Sequence, residues 1–312
     1  MNNCQFSTLP GEALLLITGP DTLTFLQGQT TCDTRELENS GSLPGVYCTP
    51  QGRVVCDFLL APLGEETFAL RMRRDIRASS SAVLGKYIVF SKADIEDDND
   101  DWQVAGLWGE DAGAVIESIF GSRPNGQGQL LSGPGFAIVQ RDEAGQRFEC
   151  FADSSAADKL DELASAANVA SEDDWRALDI AAGIARIEAP LVDELVPQTV
   201  NFDLTGHISF TKGCYTGQEV VARLHYRGKS KRRGFAVVAE DATGLVSGAE
   251  LFSSTSSSSV GHVVNTASTG DGAQALVSAT LDAAEAGLHV AAPDGPSLEL
   301  LELPYALEPE ED

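Results

Sequence analysis

Closely spaced cysteines are missing from this sequence. Its six cysteines are separated by wide and uneven gaps, and no two of them form a Cys-x-x-Cys pair. Structural zinc sites depend on such pairs, and the disulfide frameworks of small secreted domains depend on a high density of cysteine. The pattern therefore argues against both kinds of site and predicts reduced thiols in a cytoplasmic protein.

Long apolar runs and targeting segments are also absent from the sequence. No stretch approaches the roughly 18 uninterrupted apolar residues of a membrane-spanning helix. The residues MNNCQFSTLPGEALLLITG carry no basic segment ahead of their short apolar run, so they predict neither a secretory signal nor an Arg-rich transit peptide. We expect a cytoplasmic location and no membrane partner.

Positive charge is scarce. Lysine and arginine total 21 against 47 aspartates and glutamates, which gives a formal net charge of −26. A uniformly acidic surface repels nucleic-acid backbones and anionic membranes, so direct binding of nucleic acid is not expected for the surface as a whole. The simplest interpretation is that the negative charge keeps the protein soluble. In the alternative interpretation, the electrostatic field of the protein repels nucleic acid everywhere except at one local basic segment.

The length and the order of local patterns indicate an α+β protein of two or three domains. The chain has 312 residues, of which 43% are hydrophobic, enough for sizeable cores. Two stretches share a strand, helix, strand, strand, helix rhythm, which predicts two α+β units with antiparallel sheets. From Gly234 onwards helix signals nearly vanish, and short β-like runs predict a small β-barrel. The predicted domains are residues 1–100, 101–233 and 234–312.

Within these domains several elements follow from local pattern. The sequence predicts strands at 54–60 and 67–71, a helix at about 76–87 and a solvated loop in the acidic run 94–101. A further helix starts after Ser171, which can cap it. Trp175, Leu178 and Ala182 share one face of that helix, and core packing is the simplest role for the three side chains.

One segment, KGCYTGQEVVARLHYRGKSKRR, has no counterpart elsewhere in the chain. Gly213 and Gly217 flank Cys214, and GQEVVARL is able to open a short helix. A thiol near a helix N-terminus and near a cation such as Lys212 is more often a reactive thiolate. A small buried thiol in a tight loop fits the spacing equally well, and the spacing does not decide between the two.

The basic residues behind Cys214 also allow two interpretations. Either they form a charged connection between domains that pairs with nearby acids, or they bind phosphate, a polyglutamate tail or RNA. Only Tyr215 and Tyr226 are near enough in sequence to stack on bases. A Cys–His protease would need a histidine close to Cys214 in space. Only four histidines are present in the sequence and no protease signature surrounds Cys214, so this alternative is weak.

The segment VPQTVNFDLTGHISFTKGCYTGQEVVARLHYRGKSKR resembles the YgfZ family of folate-binding proteins, which are related to the T-protein (aminomethyltransferase) of the glycine cleavage system. Supporting matches are ITGPDTLTFLQGQTTCD, PQGRVVCDFLL, AAGIARI after Trp175 and LPYALEPEE. The family motif K-G-C-Y-x-G-Q-E is matched in full by Lys212, Gly213, Cys214, Tyr215, Gly217, Gln218 and Glu219.

The resemblance implies two ferredoxin-like α+β units and a C-terminal antiparallel β-barrel in a ring, with folate in the central channel. It also implies a role in assembling or repairing iron–sulfur enzymes, including those that methylthiolate tRNA, with tetrahydrofolate or a derivative as cofactor. Cys214 is then the functional thiol, and no metal ligands are predicted, because one cysteine cannot hold a cluster alone. The predicted folate-binding residues are Trp175, Lys212, Gly213, Tyr215, Gly217, Gln218, Glu219, Arg223 and Arg227.

Three positions depart from the pattern of the related proteins. Glu12 stands where the family has a second tryptophan, and Ala181 stands where the aminomethyltransferases hold the pterin with a glutamate. Their Asp-Asp pair reads Cys56-Asp57 here, which argues against aminomethyl transfer, where a carboxylate must assist folate attack. We therefore expect an accessory protein and not a classical enzyme. The alternatives are a tetrahydrofolate-dependent one-carbon transferase and a structural or RNA-contacting module.

Overall fold

The secondary structure is mixed throughout most of the chain. The computed structural model describes residues 3–228, 230–254, 256–270 and 272–307. Lys229 of the basic run and the acidic tail from 308 onwards therefore lie outside the described residues. No helix in the described ranges is long and apolar enough to cross a membrane.

The helices are α1 Thr22–Gln29, α2 Leu37–Ser40, α3 Arg74–Ile88, α4 Ala112–Phe120, α5 Ala157–Ala166, α6 Glu172–Ala181, α7 Gln218–Arg227 and α8 Leu281–Ala286. The strands are β1 Gln5–Thr8, β2 Glu12–Thr18, β3 Leu43–Cys48, β4 Val54–Pro62, β5 Thr67–Arg73, β6 Asp94–Glu96, β7 Gln103–Trp108, β8 Leu130–Gly133, β9 Phe136–Gln140, β10 Arg147–Ala152, β11 Asn168–Val169, β12 Arg232–Ala239, β13 Glu250–Ser253, β14 Ser256–Thr269, β15 Gly272–Thr280, β16 Leu288–Val290 and β17 Ser297–Leu301.

The chain divides into two units that are interleaved in sequence. The first unit comprises Met1–Gly28, Cys32–Gly45 and Phe58–Glu172, and the second comprises Gln29–Thr31, Val46–Asp57 and Asp173–Asp312. The second unit thus includes two short N-terminal pieces that no composition change in the sequence marks. The division into residues 1–100, 101–233 and 234–312 stays a prediction.

Two largely antiparallel sheets and their helices build the first unit. One sheet has the order β3-β4-β5-β2-β6 and the other the order β11-β1-β7-β10-β9-β8. Helix α3 packs on β2 and buries Ile76, Ser80, Leu84 and Ile88, which recur every four residues as one helical face requires. The predicted rhythm is found twice, with α1 and α3 in the first repeat and α4 and α5 in the second. The α+β fold class is confirmed.

The first strand of the chain joins the second of these sheets. Strand β1 pairs with β7 in antiparallel fashion, with Phe6 opposite Leu107, and in parallel with β11, with Phe6 opposite Val169. Phe6 is buried in the core beneath that sheet. The sequence pattern did not reveal this strand, because its four residues show no distinct period and its partners lie about a hundred residues away.

The acidic run is not wholly a solvated loop. Residues Asp94–Glu96 form the edge strand β6, which pairs with β2. A charged edge strand is a common protection against pairing with other chains, so the acids are compatible with a strand at this position. Further along the run, Asp100 forms exposed ion pairs with Arg74 and Arg77.

A buried ion-pair cluster joins the two sheets of the first unit. Arg71 on β5 contacts Glu149 on β10 at 2.6 Å (Nε to Oε1) and Glu12 on β2 at 3.6 Å (Nη1 to Oε2). Arg73 contacts Glu12 and Glu172 at 3.0 Å each. Buried charges of this kind are tolerated only when they are paired, so the cluster constrains which faces of the two sheets meet.

The C-terminal part of the second unit is a closed barrel. Its strand order is β12-β15-β14-β13-β16-β17, and all of its described pairings are antiparallel. The interior is filled by aliphatic side chains that are fully buried, among them Val237, Leu251, Val263, Val277 and Val290. The predicted barrel is confirmed, although helix α8 follows β15 where helix signals had been weak. The sequence of α8, LDAAEA, has good helix propensity but is short for pattern recognition.

We expect Arg71→Met to destabilise the protein by at least about 3 kcal/mol, because two buried carboxylates lose their shared guanidinium. The free energy of unfolding from urea denaturation, followed by circular dichroism, measures the effect. Adding Glu149→Leu should restore part of the loss. Asp100→Asn is the control: it removes exposed ion pairs and should leave stability nearly unchanged. A harmless Arg71→Met would show that the cluster does not hold the sheets together.

Candidate functional site

The matched motif forms a loop that leads into a helix. The motif loop, residues 211–217, precedes α7, which starts at Gln218. Cys214 is thus four residues ahead of the helix, as the glycine-flanked sequence predicted. Val221 is fully buried and Val220 and Leu224 are partly buried, so the predicted inward face of α7 is present.

Two side chains of the motif loop bind the segment Gln29–Thr31 within the second unit. The Lys212 ammonium donates to the Thr30 carbonyl at 2.6 Å and lies 5.3 Å from the centre of the Tyr215 ring. The Thr216 hydroxyl donates to the Gln29 side-chain oxygen at 3.1 Å. The Lys212 charge therefore fastens the loop to residues 182 positions earlier in the chain.

Glycine is needed where the loop meets the turn at residues 49–52. Gly217 has φ +85°, and a Cβ on it would lie 2.5 Å from the Thr49 carbonyl oxygen and 3.0 Å from Cys48 Cβ. Gly52, also left-handed, approaches Val220 in the same way. A side chain at Gly217 would therefore be strained by its backbone conformation and would collide with main-chain atoms. Gly213 differs, because a Cβ there would meet nothing within 4 Å.

Tyr215 and Gln218 close the turn before the helix. The Tyr215 N–H donates to Gln218 Oε1 at 3.2 Å, and the Gln218 N–H donates to the Tyr215 carbonyl at 3.3 Å. Burial, with a smaller contribution from nearby Cys48, raises the pKa of Tyr215. Tyr215 is therefore a neutral packing group beneath the loop, and the helix begins at the residue where the two reciprocal bonds end.

Cys214 is exposed, in contrast to the other thiols. All six cysteines are free and lie among the described residues, and the remaining five are buried. Burial raises the pKa of Cys4 to about 11 and also raises the pKa values of Cys48 and Cys150. These buried thiols are therefore protonated and inert near neutral pH. Of the two interpretations that the spacing left open, the exposed position of Cys214 excludes the small buried thiol.

The outer face of α7 carries charge. Glu219 lies in the first turn, where an acid is favourable for the helix dipole, and Arg223 and Arg227 are exposed further along. The inner side is held by Gln198, whose side-chain amide donates to the Val221 carbonyl at 2.8 Å. The two arginines thus point away from the packed side of the helix.

Trp175 belongs to another element of the second unit. It lies on α6 and is 3% exposed, and the other buried residues of that helix are Asp179 and Ile180. Leu178 and Ala182 are only partly buried, so the predicted apolar face is wrong in detail. Asp179 follows Trp175 by one turn. It is buried because it faces the guanidinium of Arg186, with Oδ2 3.9 Å from Nη1.

Arg186 is the centre of a buried polar cluster. Its Nε donates to Asp57 Oδ2 at 2.7 Å, and the neighbouring Ile187 N–H donates to Asp57 Oδ1 at 2.6 Å. The Asn265 side chain of β14 accepts from the Arg186 N–H at 2.8 Å and donates to its carbonyl at 2.6 Å. Both oxygens of the Asp57 carboxylate are therefore engaged in structural bonds.

Of the three positions that were expected to depart from the related proteins, Glu12 and Ala181 occupy different environments. Glu12 is buried in the ion-pair cluster of the first unit, where its charge is neutralised by arginines. Ala181 ends α6 and is exposed, and its methyl group offers no acceptor for a pterin N–H. Among the histidines, His207 bonds to Thr205 and His225 stacks on Phe210.

The structure brings part of the predicted site together. Lys212, Gly213, Cys214, Tyr215, Gly217, Gln218 and Glu219 form one loop and one helical turn, whereas Trp175 lies on α6. Sequence reasoning missed the anchoring segment Gln29–Thr31 and did not connect the turn at 49–52 with the motif. The matches QGQTTCD and PQGRVV cover both, so a signal was present, but it did not show what those residues touch.

Comparisons with known proteins identify relatives of this chain and a solved structure with the same fold. No family model matches the chain. The tRNA-modifying protein YgfZ of Cronobacter sakazakii is 37% identical over 226 residues, which cover 72% of this chain and 68% of that protein. The protein of the same name from Escherichia coli O157:H7 is 36% identical over 72% of this chain and 69% of that protein. The glycine cleavage aminomethyltransferase T of Bartonella henselae shares the fold, with a TM-score of 0.69 and 17% identity over 98% of this chain and 87% of that one.

The two glycines that flank Cys214 provide a matched pair of variants. We expect Gly217→Ala to cost at least about 1 kcal/mol from its left-handed backbone alone, and more from the collision with Thr49. Gly213→Ala should be tolerated. Thermal unfolding measures both. Equal stability of the two alanine variants would contradict the close packing of the loop.

A thiol reagent should modify one of the six cysteines in the native wild type, and none in Cys214→Ser.

Proposed function

The chain belongs to the family of tRNA-modifying YgfZ proteins, and on this premise we propose that it supports tRNA modification as a folate-binding accessory protein. In this proposal its client proteins are iron–sulfur enzymes, such as those that methylthiolate tRNA, and it acts in the cytoplasm. Cys214 is the functional thiol. The proposed partners are therefore a reduced folate and the client enzymes.

The observation that carries this proposal is the exposure of Cys214 on a rigidly held loop. Lys212, Thr216 and Gly217 each fix the loop through a different contact, yet none of these contacts covers the thiol. A structure that only needed to pack a small residue would have no reason to present it to solvent. The arrangement suits a thiol that meets a second protein or a ligand.

A single thiol also limits what the site does. One cysteine cannot hold an iron–sulfur cluster by itself, so Cys214 would act together with groups of a client protein. Its neighbours position it without offering a general base: Lys212 is bonded to Thr30, and Tyr215 is partly buried with a raised pKa. The site thus resembles a docking or ligand-donating thiol more than the nucleophile of a hydrolase.

The family resemblance assigns Trp175 to folate binding, and Ala181 weakens that assignment. An aromatic ring can stack on a pterin, but Trp175 is 3% exposed, so a pterin reaches its face only when neighbouring side chains move. The carboxylate that the aminomethyltransferases use to hold the pterin is replaced by the methyl group of Ala181. The residues therefore fit a weaker folate site. A bound tetrahydrofolate would supply a carrier for a one-carbon unit.

The alternative, a one-carbon transferase, is disfavoured by the state of Asp57. In the aligned region of the aminomethyltransferases two carboxylates are present, whereas here Cys56 is buried and Asp57 is committed to Arg186 and Ile187. Both oxygens of this carboxylate already accept hydrogen bonds from buried groups of the protein. It is a poor candidate for assisting transfer.

The functional role of Cys214 is tested in cells that lack the endogenous protein. We expect Cys214→Ala to lower the methylthiolated fraction of tRNA and the activity of iron–sulfur enzymes to the level of the empty vector. Asp100→Asn, which changes only exposed ion pairs of the first unit, should restore wild-type levels. Full activity of Cys214→Ala would remove the thiol from the mechanism.

The folate site is tested by calorimetric titration of tetrahydrofolate. We expect wild type to bind, Trp175→Phe to bind more weakly, and Ala181→Glu to bind about tenfold more tightly, because a charge-assisted hydrogen bond is added. Thermal unfolding must accompany Trp175→Phe, since the indole is buried. Absence of binding to the wild type would eliminate folate from the proposal.

A further inference from the structure

We propose that the outer face of α7 binds a single-stranded segment of RNA. The surface in question, the α7 patch, consists of Phe210, Arg223, His225, Tyr226 and Arg227. It contains neither Cys214 nor Trp175, and the choice of tRNA as ligand rests on the proposed function.

The first argument is that the cations of the α7 patch are unpaired in a protein rich in acid. Acidic residues outnumber basic ones by 47 to 21, yet Arg223 and Arg227 form no ion pair with any described acid. Glu219 precedes Arg223 by four residues, the spacing of a helical ion pair, and the two do not pair. Arg233 of the same basic run, by contrast, is paired with Asp203 at 2.8 Å.

The second argument is a set of aromatic rings at α7, of which Tyr226 lies three residues after Arg223, the spacing that makes two side chains neighbours on a helix. His225 stacks on Phe210 with ring centres 3.6 Å apart and planes 10° apart. Tyr226 stands edge-on to both rings, and its hydroxyl donates to the Phe210 carbonyl at 3.4 Å. Tyr226 is nevertheless 67% exposed. The three rings form an ordered aromatic surface that faces solvent instead of a core.

A purely structural role explains only part of the α7 patch. Cations in the last turn stabilise a helix by complementing its dipole, which accounts for Arg227 and His225. Arg223 lies further from the C-terminus, and the exposed ring of Tyr226 gains little from hydration. An arginine without an ion pair to a described acid, three residues ahead of an exposed tyrosine ring, calls for a ligand that has both negative charge and flat apolar faces.

Single-stranded RNA has both properties. Its phosphates pair with arginine, and its unstacked bases stack on aromatic side chains. An acidic polypeptide would satisfy the arginines but would leave the rings unused. The protein as a whole has a net charge of −26, so its surface outside the α7 patch repels RNA and restricts contact to the patch. Lys231 and Arg232, which follow α7 and form no ion pair with a described acid, extend the basic surface.

The test is fluorescence anisotropy with a labelled tRNA anticodon stem-loop over a series of salt concentrations. We expect Arg223→Gln/Arg227→Gln to weaken binding about tenfold and to reduce the slope of log K against log salt by about 1.4, since each lost phosphate contact on a single strand contributes roughly 0.7. Tyr226→Ala should weaken binding about fivefold or more without changing that slope.

The matched control is Lys86→Gln/Lys92→Gln, which removes the same charge from exposed lysines of the first unit and should bind as wild type does. Equal losses in the control and in the arginine variant would assign the effect to net charge and overturn the proposal. So would unchanged binding by the arginine variant. A polyglutamate peptide that competes as well as RNA, with no effect of Tyr226→Ala, would assign the patch to an acidic protein instead.

These outcomes are independent of the thiol. The arginine variant should retain wild-type thiol labelling and thermal stability, because both side chains are exposed and unpaired with described acids. Loss of RNA binding with intact thiol labelling and stability supports the patch, whereas absence of folate binding in the wild type concerns only the proposed function.

Discussion

The second unit depends on the buried guanidinium of Arg186. Its Nε contacts Asp57, its Nη1 lies near Asp179, and its backbone is paired with Asn265. A strand, a helix and the barrel of the second unit are thereby joined at one point. A buried arginine without these partners would be very costly, so each of the three elements must arrive in place for the others to be stable. The same bonds engage both oxygens of the Asp57 carboxylate.

In the motif loop, the residues that hold the loop in place are different from the exposed Cys214. Lys212, Tyr215, Gly217 and Gln218 all contact protein groups, and each of these contacts is satisfied without Cys214. The full eight-residue match thus describes mainly how the loop is held, and the thiol is what the loop presents. A motif of this kind is specific because a left-handed glycine, a buried ring and a bonded lysine are all required at once.

Because lysine and arginine are scarce, it matters which of them are held in ion pairs. Arg71, Arg73, Arg186 and Arg233 are taken up by buried or partly buried ion pairs. These four cations are unavailable to a ligand, whereas the two arginines of α7 form no ion pair with a described acid and share their helix with the exposed ring of Tyr226. Composition alone predicted a surface that repels nucleic acid, and that holds for the average charge. A ligand at a local patch experiences mainly the charged groups within a Debye length, about 10 Å, because salt screens more distant charges.

The sequence by itself determined the elements whose signals are local. The strands β4 and β5, the helices α3 and α7 and the barrel were predictable, because hydrophobic period, glycine turns and capping act between residues a few positions apart. The motif identified the family and placed Cys214 before a helix. Only tertiary structure decided the pairing of β1 with β7, the burial of Glu12 beside Arg71 and the bond of Lys212 to Thr30. These contacts join residues far apart in the chain, and no local pattern encodes the partner of a strand or of a buried charge.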